Sequence, residues 1–430
     1  EQLYREKLTT PENIAARLKN GDIVRSDIGA SVPTALFHAI CAYVKAHDVH
    51  DLAMELSQEM APFGCYTDPE VMAKMKGISD FTSVYARKAA ARGQADVFSY
   101  CYRDMPRVHV EYAPKGIFCA TVAPRDEHGY FSFGATASVV EAMLSDAQEV
   151  WLEVNPNMPR TFGGPIIHIS QVDALCESDL PLPCIPPTVI DEKSAAIGAA
   201  IAEEIHDGAT IQLGIGAIPD AVGMALRDRH HLGLHTELIT ASMIDLLECG
   251  AIDNSRKPIH RGKSVATFAF GAQKIYDYIR NNPSVLLLNV DYVNDIRTIA
   301  RHPGMVSVNG AVQVDLLGQT SAESFGTRQI SGTGGHTDFV RGAIESEGGK
   351  SFIALQSTTE DGVSRIQPVL EPGSIVTTGK NDVDYVVTEY GIAKLRGKTY
   401  GQKARALIQI AHPKFREELT FAARKRGLMV

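Results

Sequence analysis

The residues with the clearest capacity for chemistry lie in two glycine-rich stretches. The first is Gly214-Ile215-Gly216-Ala217-Ile218-Pro219, which follows the strand-like Thr210-Ile211-Gln212-Leu213 and precedes a helical run from Asp220 to Leu226. Glycines between a strand and a helix let a phosphate or an acyl oxygen approach the backbone. The helix amino terminus adds unpaired N–H groups and a partial positive charge. A nicotinamide dinucleotide site needs a third glycine where this chain has Pro219, which argues against that ligand. A tight strand-to-helix turn with no ligand is the other local reading. The second stretch is Ser331-Gly332-Thr333-Gly334-Gly335-His336. Its glycines can form a nest of backbone donors for an anion, and they equally suit a flexible surface loop. Between the two stretches lies Glu237, in Leu234-His235-Thr236-Glu237-Leu238. Spacing and composition describe Glu237 only as a solvated loop or cap carboxylate.

Several other chemistries are excluded by what is missing. The chain has no H-E-x-x-H and no Gly-x-Ser-x-Gly, which removes a zincin and a nucleophile-elbow hydrolase. Gly391 to Thr399 approaches a P-loop but has five residues, not four, between Gly391 and Gly397-Lys398-Thr399, so it reads as a basic loop and helix start. His47-Asp48-Val49-His50 has no Cys or His partner at ligand spacing, so it is assigned to the surface and no metal site is expected.

The elements that must position these residues recur in the two halves of the chain. Thr10-Pro11-Glu12 opens a helical run, with Thr10 as N-cap and Pro11 as first helical residue. The run stops at Asn20-Gly21 and passes through the strand Asp22-Ile23-Val24 to Ile28-Gly29-Ala30. Later, Ile197, Ile201 and Ile205 mark one face of a helix that ends at Asp207-Gly208. The strand 210–213 then leads into Ile215-Gly216-Ala217. In both halves Ile-Gly-Ala starts seven residues after the helix-ending glycine (28 − 21 and 215 − 208), which points to a duplicated domain. Pro181, Pro183, Pro186 and Pro187 fit neither a helix nor a central strand. They place an extended linker and a boundary near Ile185, with domains over 1–185 and 186–430. Further strands are expected at Glu149–Val154, Ser284–Val290, Ser374–Thr378 and Tyr385–Thr388, and helices at Ser138–Leu144 and Phe415–Arg424. Alternation of this kind predicts α/β domains with mainly parallel sheets, which bind ligands at the carboxyl ends of their strands.

Composition bounds the partners. The chain has 430 residues, 44% of them apolar, and a net charge of −9 from 42 basic and 51 acidic side chains. An acidic total disfavours nucleic acid, which needs clustered Lys and Arg. No apolar run reaches the length of a membrane span, and Glu1 to Lys7 lacks the apolar core of a signal peptide. Seven scattered cysteines without a C-x-x-C pair fit reduced, mostly buried thiols in a cytoplasmic protein.

Taken in order, Gln212 to Pro219, His235-Thr236-Glu237, Asn309-Gly310-Ala311, Ser331 to Gly335 and Thr388-Glu389-Tyr390-Gly391 resemble the acetyl-CoA hydrolase/transferase family. These are class I CoA-transferases such as 4-hydroxybutyrate and butyrate:acetate CoA-transferases. Asp126-Glu127-His128-Gly129-Tyr130 and Val154 to Pro159 extend the resemblance over nearly the whole chain. It implies two similar open α/β domains with the active site between them, the first helping to form an acid pocket and the second carrying the nucleophile and coenzyme A loops. It implies ping-pong transfer of coenzyme A from an acyl-CoA to a short carboxylic acid, with coenzyme A as substrate and no tightly bound cofactor. An acyl-CoA hydrolase on the same scaffold is the alternative activity. The family's nucleophilic glutamate falls on Glu237 and its oxyanion donor on the Gly335 N–H. Its coenzyme A contacts fall on Gly214, Ile215, Gly216, Ala217, Ile218, Val312 and Gly335, and a glutamine near the reacting carboxylate falls on Gln212. Homodimers or larger homo-oligomers are implied, with no nucleic acid or membrane partner. The chain departs from familiar members after Glu237, where it reads Leu238-Ile239-Thr240-Ala241-Ser242, and in the loops Asp27–Pro33 and Ser57–Pro62. Those loops help shape the acid pocket in the family, so a bulkier or dicarboxylic acid such as itaconate or succinate enters the range.

Overall fold

In the computed structural model, which describes residues 1–429, the chain divides into two compact units. One holds Glu1–Pro186 and Val265–Val293, the other Pro187–Ser264 and Asn294–Val430. Val265–Val293 is stitched into the first unit by backbone hydrogen bonds. Ala269 N donates to Ala135 O (2.7 Å), and Ala137 N to Thr267 O (2.9 Å). Leu287 N donates to Phe162 O (2.9 Å), and Val290 N to Ser138 O (2.9 Å).

Apolar runs in the first unit form a seven-stranded sheet. Its strands are β1 (Ile23–Ile28), β2 (Leu52–Ser57), β3 (Met75–Ser79), β4 (Ala95–Val97), β5 (Ile117–Val122), β6 (Glu149–Val154) and β7 (Ala174–Glu177). They lie in the order β4-β3-β2-β1-β5-β6-β7, all neighbours parallel. Central β5 is buried along its whole length, as a parallel strand covered on both faces must be. Helix α1 (Pro11–Ala15) has the expected cap, Thr10 Oγ1 accepting from Asn13 N at 3.3 Å. It ends before the expected Asn20-Gly21 stop.

The second unit carries β8 (Thr210–Leu213), β9 (Gly233–Leu234), β10 (Met305–Gly310), β11 (Lys350–Ala354), β12 (Tyr385–Thr388) and β13 (Gly391–Lys394). Their order is β9-β8-β10-β11-β12-β13, parallel except for the closing β12–β13 hairpin. The mainly parallel α/β architecture expected from the sequence is therefore present. Gly391 opens a strand rather than a phosphate loop, and Thr399 caps the helix Tyr400–Ile410 in a capping box with Gln402. Two expected strands differ. Ser284–Val290 is reduced to Val285–Leu287. Ser374–Thr378 forms only a bridge from Thr378 to Thr320 among the described residues, with Ile375 and Val376 exposed. Its β-branched residues satisfy local propensity but have no ladder partner, and pairing decides strand formation.

Helices α2 (Glu192–Glu203) and α3 (Ala217–Ala225) cover one face of this sheet. Ile197, Ile201 and Ile205 are all buried in that core, although Ile205 lies past the helix end. The two helices touch where α2 has no side chain. A Cβ at Gly198 would lie 2.6 Å from Ala221 Cβ and 2.8 Å from Val222 N. Helix α3 begins at Ala217, three residues earlier than the sequence suggested, so its seating on α2 also places the glycine turn before it. Gly198→Ala is predicted to destabilise the protein by about 1–3 kcal/mol, despite the usual helix gain of about 1 kcal/mol from replacing glycine. Urea unfolding of the variant checks this; an unchanged or raised midpoint would contradict the contact.

Candidate active site

Four candidate segments lie at one edge of the second sheet for topological reasons. Strands β9, β8 and β10 are parallel neighbours, registered Ile211 to Leu234 and Leu213 to Val308. Their carboxyl ends therefore emerge together, releasing His235–Glu237, Gly214–Ile218 and Ala311–Val312. Helix α5 (His336–Glu345) runs back from that edge before β11, so Gly335 at its amino terminus lies on the same edge.

Glu237 and Gly335 meet there, and the contact is unusually close. Gly335 has φ of −93°, open to any residue, so it is not glycine for its dihedral. A Cβ on it would lie 1.9 Å from Glu237 Oε2 and 2.2 Å from Asn294 Nδ2. Asn294 is fully buried, and its Nδ2 donates to Glu237 Oε2 at 2.7 Å. Asn294 precedes α4 (Ile296–Ala300), whose N-cap Asp295 accepts from Thr298 N at 2.8 Å. Helices α4 and α5 pack through Gly342, where a Cβ would lie 2.5 Å from Ile299 Cβ. That contact brings the residues heading each helix, Asn294 and Gly335, onto one carboxyl group. Among the described residues Asn294 Oδ1 has no protein partner.

The carboxyl of Glu237 is not the solvated group that local sequence described. Its side chain is only partly open, and burial pushes its pKa up from 4.5 to about 7. The Asn294 amide opposes that rise, the charge of Asp338 adds to it, and the Gly335 N–H opposes it. Asp338 lies in the first turn of α5. His336 provides no positive charge, because burial pushes it down to about 4, and its Nδ1 pairs with Thr378 Oγ1 at 2.9 Å. A carboxyl in this setting is partly protonated at neutral pH and poorly solvated, hence more nucleophilic once ionised than a surface glutamate.

The remaining candidates divide by exposure. Ile215 and Gly216 are exposed, and Gly214, Ala217 and Ile218 partly so. Gly216 has φ of +115°, a glycine conformation that turns the chain into α3. Gly214 N continues the ladder to Val308 O (2.9 Å). Val312 is partly exposed, with its N–H bonded to Ser321 O at 2.8 Å and its carbonyl accepting from Arg365 at 3.3 Å. Gln212 commits its amide to Asn309, in reciprocal bonds of 3.1 and 3.2 Å.

In the first unit, the loops expected to shape an acid pocket carry two buried carboxyls. Asp27 is saturated by Thr136 (2.9 Å), Ser138 (2.8 Å) and the Ile28 and Val139 N–H groups. Glu59 is bonded by Ser83 Oγ, leaves Oε2 without a partner among the described residues, and is pushed by burial up to about 7.

Sequence reasoning did not find Asn294, Asp338 or Lys257. Lys257 is buried and donates to Leu234 O and Lys263 O, each at 2.8 Å, which fastens the end of β9. Asn294 stands 57 residues from Glu237, and no local pattern joins them. Asp338, three residues after Gly335, was the one with a local cue, as an acid in the first turn of a helix.

Because the folded state holds the Glu237 proton more tightly than the unfolded chain, ionisation costs stability as pH rises from about 4.5 to about 7. Glu237→Gln has no such cost. Its stability relative to the parent is predicted to grow across that window by on the order of 1–3 kcal/mol and then level off. Urea midpoints from pH 4.5 to 8 measure this; a pH-independent difference would refute the raised pKa.

Comparison with other proteins identifies the family. Residues 1–186 match the acetyl-CoA hydrolase/transferase N-terminal domain and residues 271–423 the C-terminal domain of the same name. The chain is 43% identical to succinyl-CoA:cyclohexane-1-carboxylate CoA transferase of Geobacter metallireducens, covering 99% of this chain and 97% of that protein. It is 42% identical to 4-hydroxybutyrate coenzyme A transferase of Clostridium kluyveri, covering 99% of each. Among solved structures, RipA from Yersinia pestis superposes with a TM-score of 0.93 at 37% identity, covering 100% of this chain and 99% of that one. The chain belongs to the acetyl-CoA hydrolase/transferase family, as a CoA-transferase.

Proposed function

We propose that this CoA-transferase moves coenzyme A from an acetyl- or succinyl-CoA type donor to a short carboxylic acid through a glutamyl-CoA thioester on Glu237. The acceptor range is 4-hydroxybutyrate, butyrate and dicarboxylates such as itaconate. The observation that carries the reading is the Glu237 carboxyl held by the Asn294 amide against the Gly335 backbone. The names of the relatives support a succinyl-CoA donor in one case, with cyclohexane-1-carboxylate as its partner, and 4-hydroxybutyrate as a substrate in another.

The steps follow from the group positions. A Glu237 oxygen attacks the acyl carbonyl carbon, the C–S bond breaks, and coenzyme A leaves as thiolate from a mixed anhydride. The thiolate attacks the glutamyl carbonyl and expels the acyl group as its carboxylate, leaving a glutamyl thioester. The acceptor carboxylate attacks that thioester and releases the thiolate, which then takes the acceptor acyl group and restores Glu237. No net proton is consumed, and each covalent intermediate is itself an activated acyl group, either an anhydride or a thioester. The Gly335 N–H and Asn294 Nδ2 are the donors for the oxyanion of each tetrahedral stage, a role in which one donor is worth about 100- to 1,000-fold in rate. Gly214–Ile218 and Val312 are the coenzyme A contacts, with the amino terminus of α3 favouring its phosphates. Only ionised Glu237 attacks.

Three outcomes are expected. Incubation with acyl-CoA followed by hydroxylamine or borohydride trapping should modify the peptide containing Glu237; modification elsewhere would remove the assignment. Turnover should rise with pH and level off above about 7, whereas a flat profile from pH 5 to 8 would count against the ionised nucleophile. Thioester loss should need an added carboxylic acid; full-rate loss without one would favour an acyl-CoA hydrolase.

A further inference from the structure

We propose that Glu323, buried and remote in sequence from the reacting carboxyl, is the positioning residue that holds Gly335 in register with Glu237, through Thr333. This rests on the reading of Gly335 as an oxyanion donor. The turn from Gly332 to Gly335 contains three glycines and one side chain, that of Thr333. Glycine backbone is soft, and Gly334 adopts φ of +55°. The turn therefore has one side-chain tether available to it, and that tether ends on Glu323. Thr333 Oγ1 donates to Glu323 Oε2 at 3.2 Å.

Glu323 grips the same segment in two further ways. Its carbonyl oxygen accepts from both Ile330 N (2.8 Å) and Ser331 N (3.1 Å), fixing the entry to the turn. Its other carboxyl oxygen, Oε1, accepts from Thr377 Oγ1 at 2.9 Å. Thr377 Oγ1 in turn accepts from Ala322 N at 2.9 Å, so its proton is free to point at Glu323. Thr377 also reaches the far side of the turn, its carbonyl accepting from Thr337 Oγ1 at 2.8 Å in the first turn of α5. The glycine turn is thus clamped at its entry, its middle and its exit by one connected network. Burying a carboxylate is costly unless its oxygens are satisfied, and this one satisfies them by holding the turn. Such placement matters because Gly335 lies within hydrogen-bond reach of the reacting group, where a displacement of about 1 Å costs about 100-fold.

The test measures kcat and KM for acyl-CoA in Thr333→Val, Thr333→Ser, Glu323→Gln and the Glu323→Gln/Thr333→Val pair, with thermal melts to compare folding. Thr333→Val preserves side-chain shape and removes only the hydroxyl, so it remains informative if Glu323→Gln does not fold. Thr333→Val should lower kcat by roughly 10- to 100-fold with little change in KM. Thr333→Ser should restore kcat, and the double variant should be no slower than the slower single. Parent-like kcat in Thr333→Val, equal impairment in Thr333→Ser, or parallel losses in kcat and KM would overturn the proposal. Glu237→Gln, assayed alongside, separates the two levels. If it retains turnover, the nucleophile reading itself fails; if it is inactive while Thr333→Val matches the parent, only the Glu323 role fails.

Discussion

The site is organised by an absence of atoms at Gly335. Glu237 Oε2 and Asn294 Nδ2 occupy the volume that any side chain at that position would fill. The constraint is steric before it is chemical, since the backbone angles at Gly335 are ordinary. It lets a main-chain N–H and a side-chain amide reach the same carboxyl group. It also makes the carboxyl dependent on two helices, one headed by Asn294 and the other by Gly335. The close approach of α4 and α5 at Gly342 extends the same device one layer outward. Small residues let helices meet, and meeting helices bring their amino termini together.

That arrangement explains why the carboxyl differs electrically from a surface glutamate. Burial and the neighbouring Asp338 raise its pKa, and the donors from Asn294 and Gly335 lower it. The balance leaves it near neutrality, neither locked as a spectator anion nor held fully protonated. A helix amino terminus and amide donors stabilise negative charge without a mobile cation. The same groups that moderate the ground-state carboxylate suit an oxyanion developing one atom away.

The sheet supplies the second level of order. Parallel strands β9, β8 and β10 put three loops at one edge, and the returning helix α5 adds a fourth. Each loop could vary in sequence without moving the others, because the ladder sets their spacing. On the proposed reading this is a division of labour, with one loop carrying the nucleophile, one the donor and others meeting the long thioester substrate.

Much of this was legible in the amino-acid sequence. Alternating strand and helix signals and the proline-rich linker are local features, and local steric rules produce them, whereas the helices expected to run to Gly21 and Gly208 end earlier, at Ala15 and Glu203. The ordered motifs that carry the family resemblance also survive in one dimension, because loops at strand ends are short and contiguous. The partnership of Glu237 with Asn294 was not legible, since 57 residues separate them and only the packing of α4 on α5 joins them. The assignment of Val265–Val293 to the first unit depends on backbone pairing with residues 135–162, which no periodicity encodes. Ser374–Thr378 has strand composition, yet pairing partners decide strands and it lacks a ladder. The order of residues along the chain specifies which types stand at the strand ends and what chemistry they could do. Tertiary structure alone decided which of them touch, because burial, close approach and a shifted pKa arise from atoms that are neighbours in space and strangers along the chain.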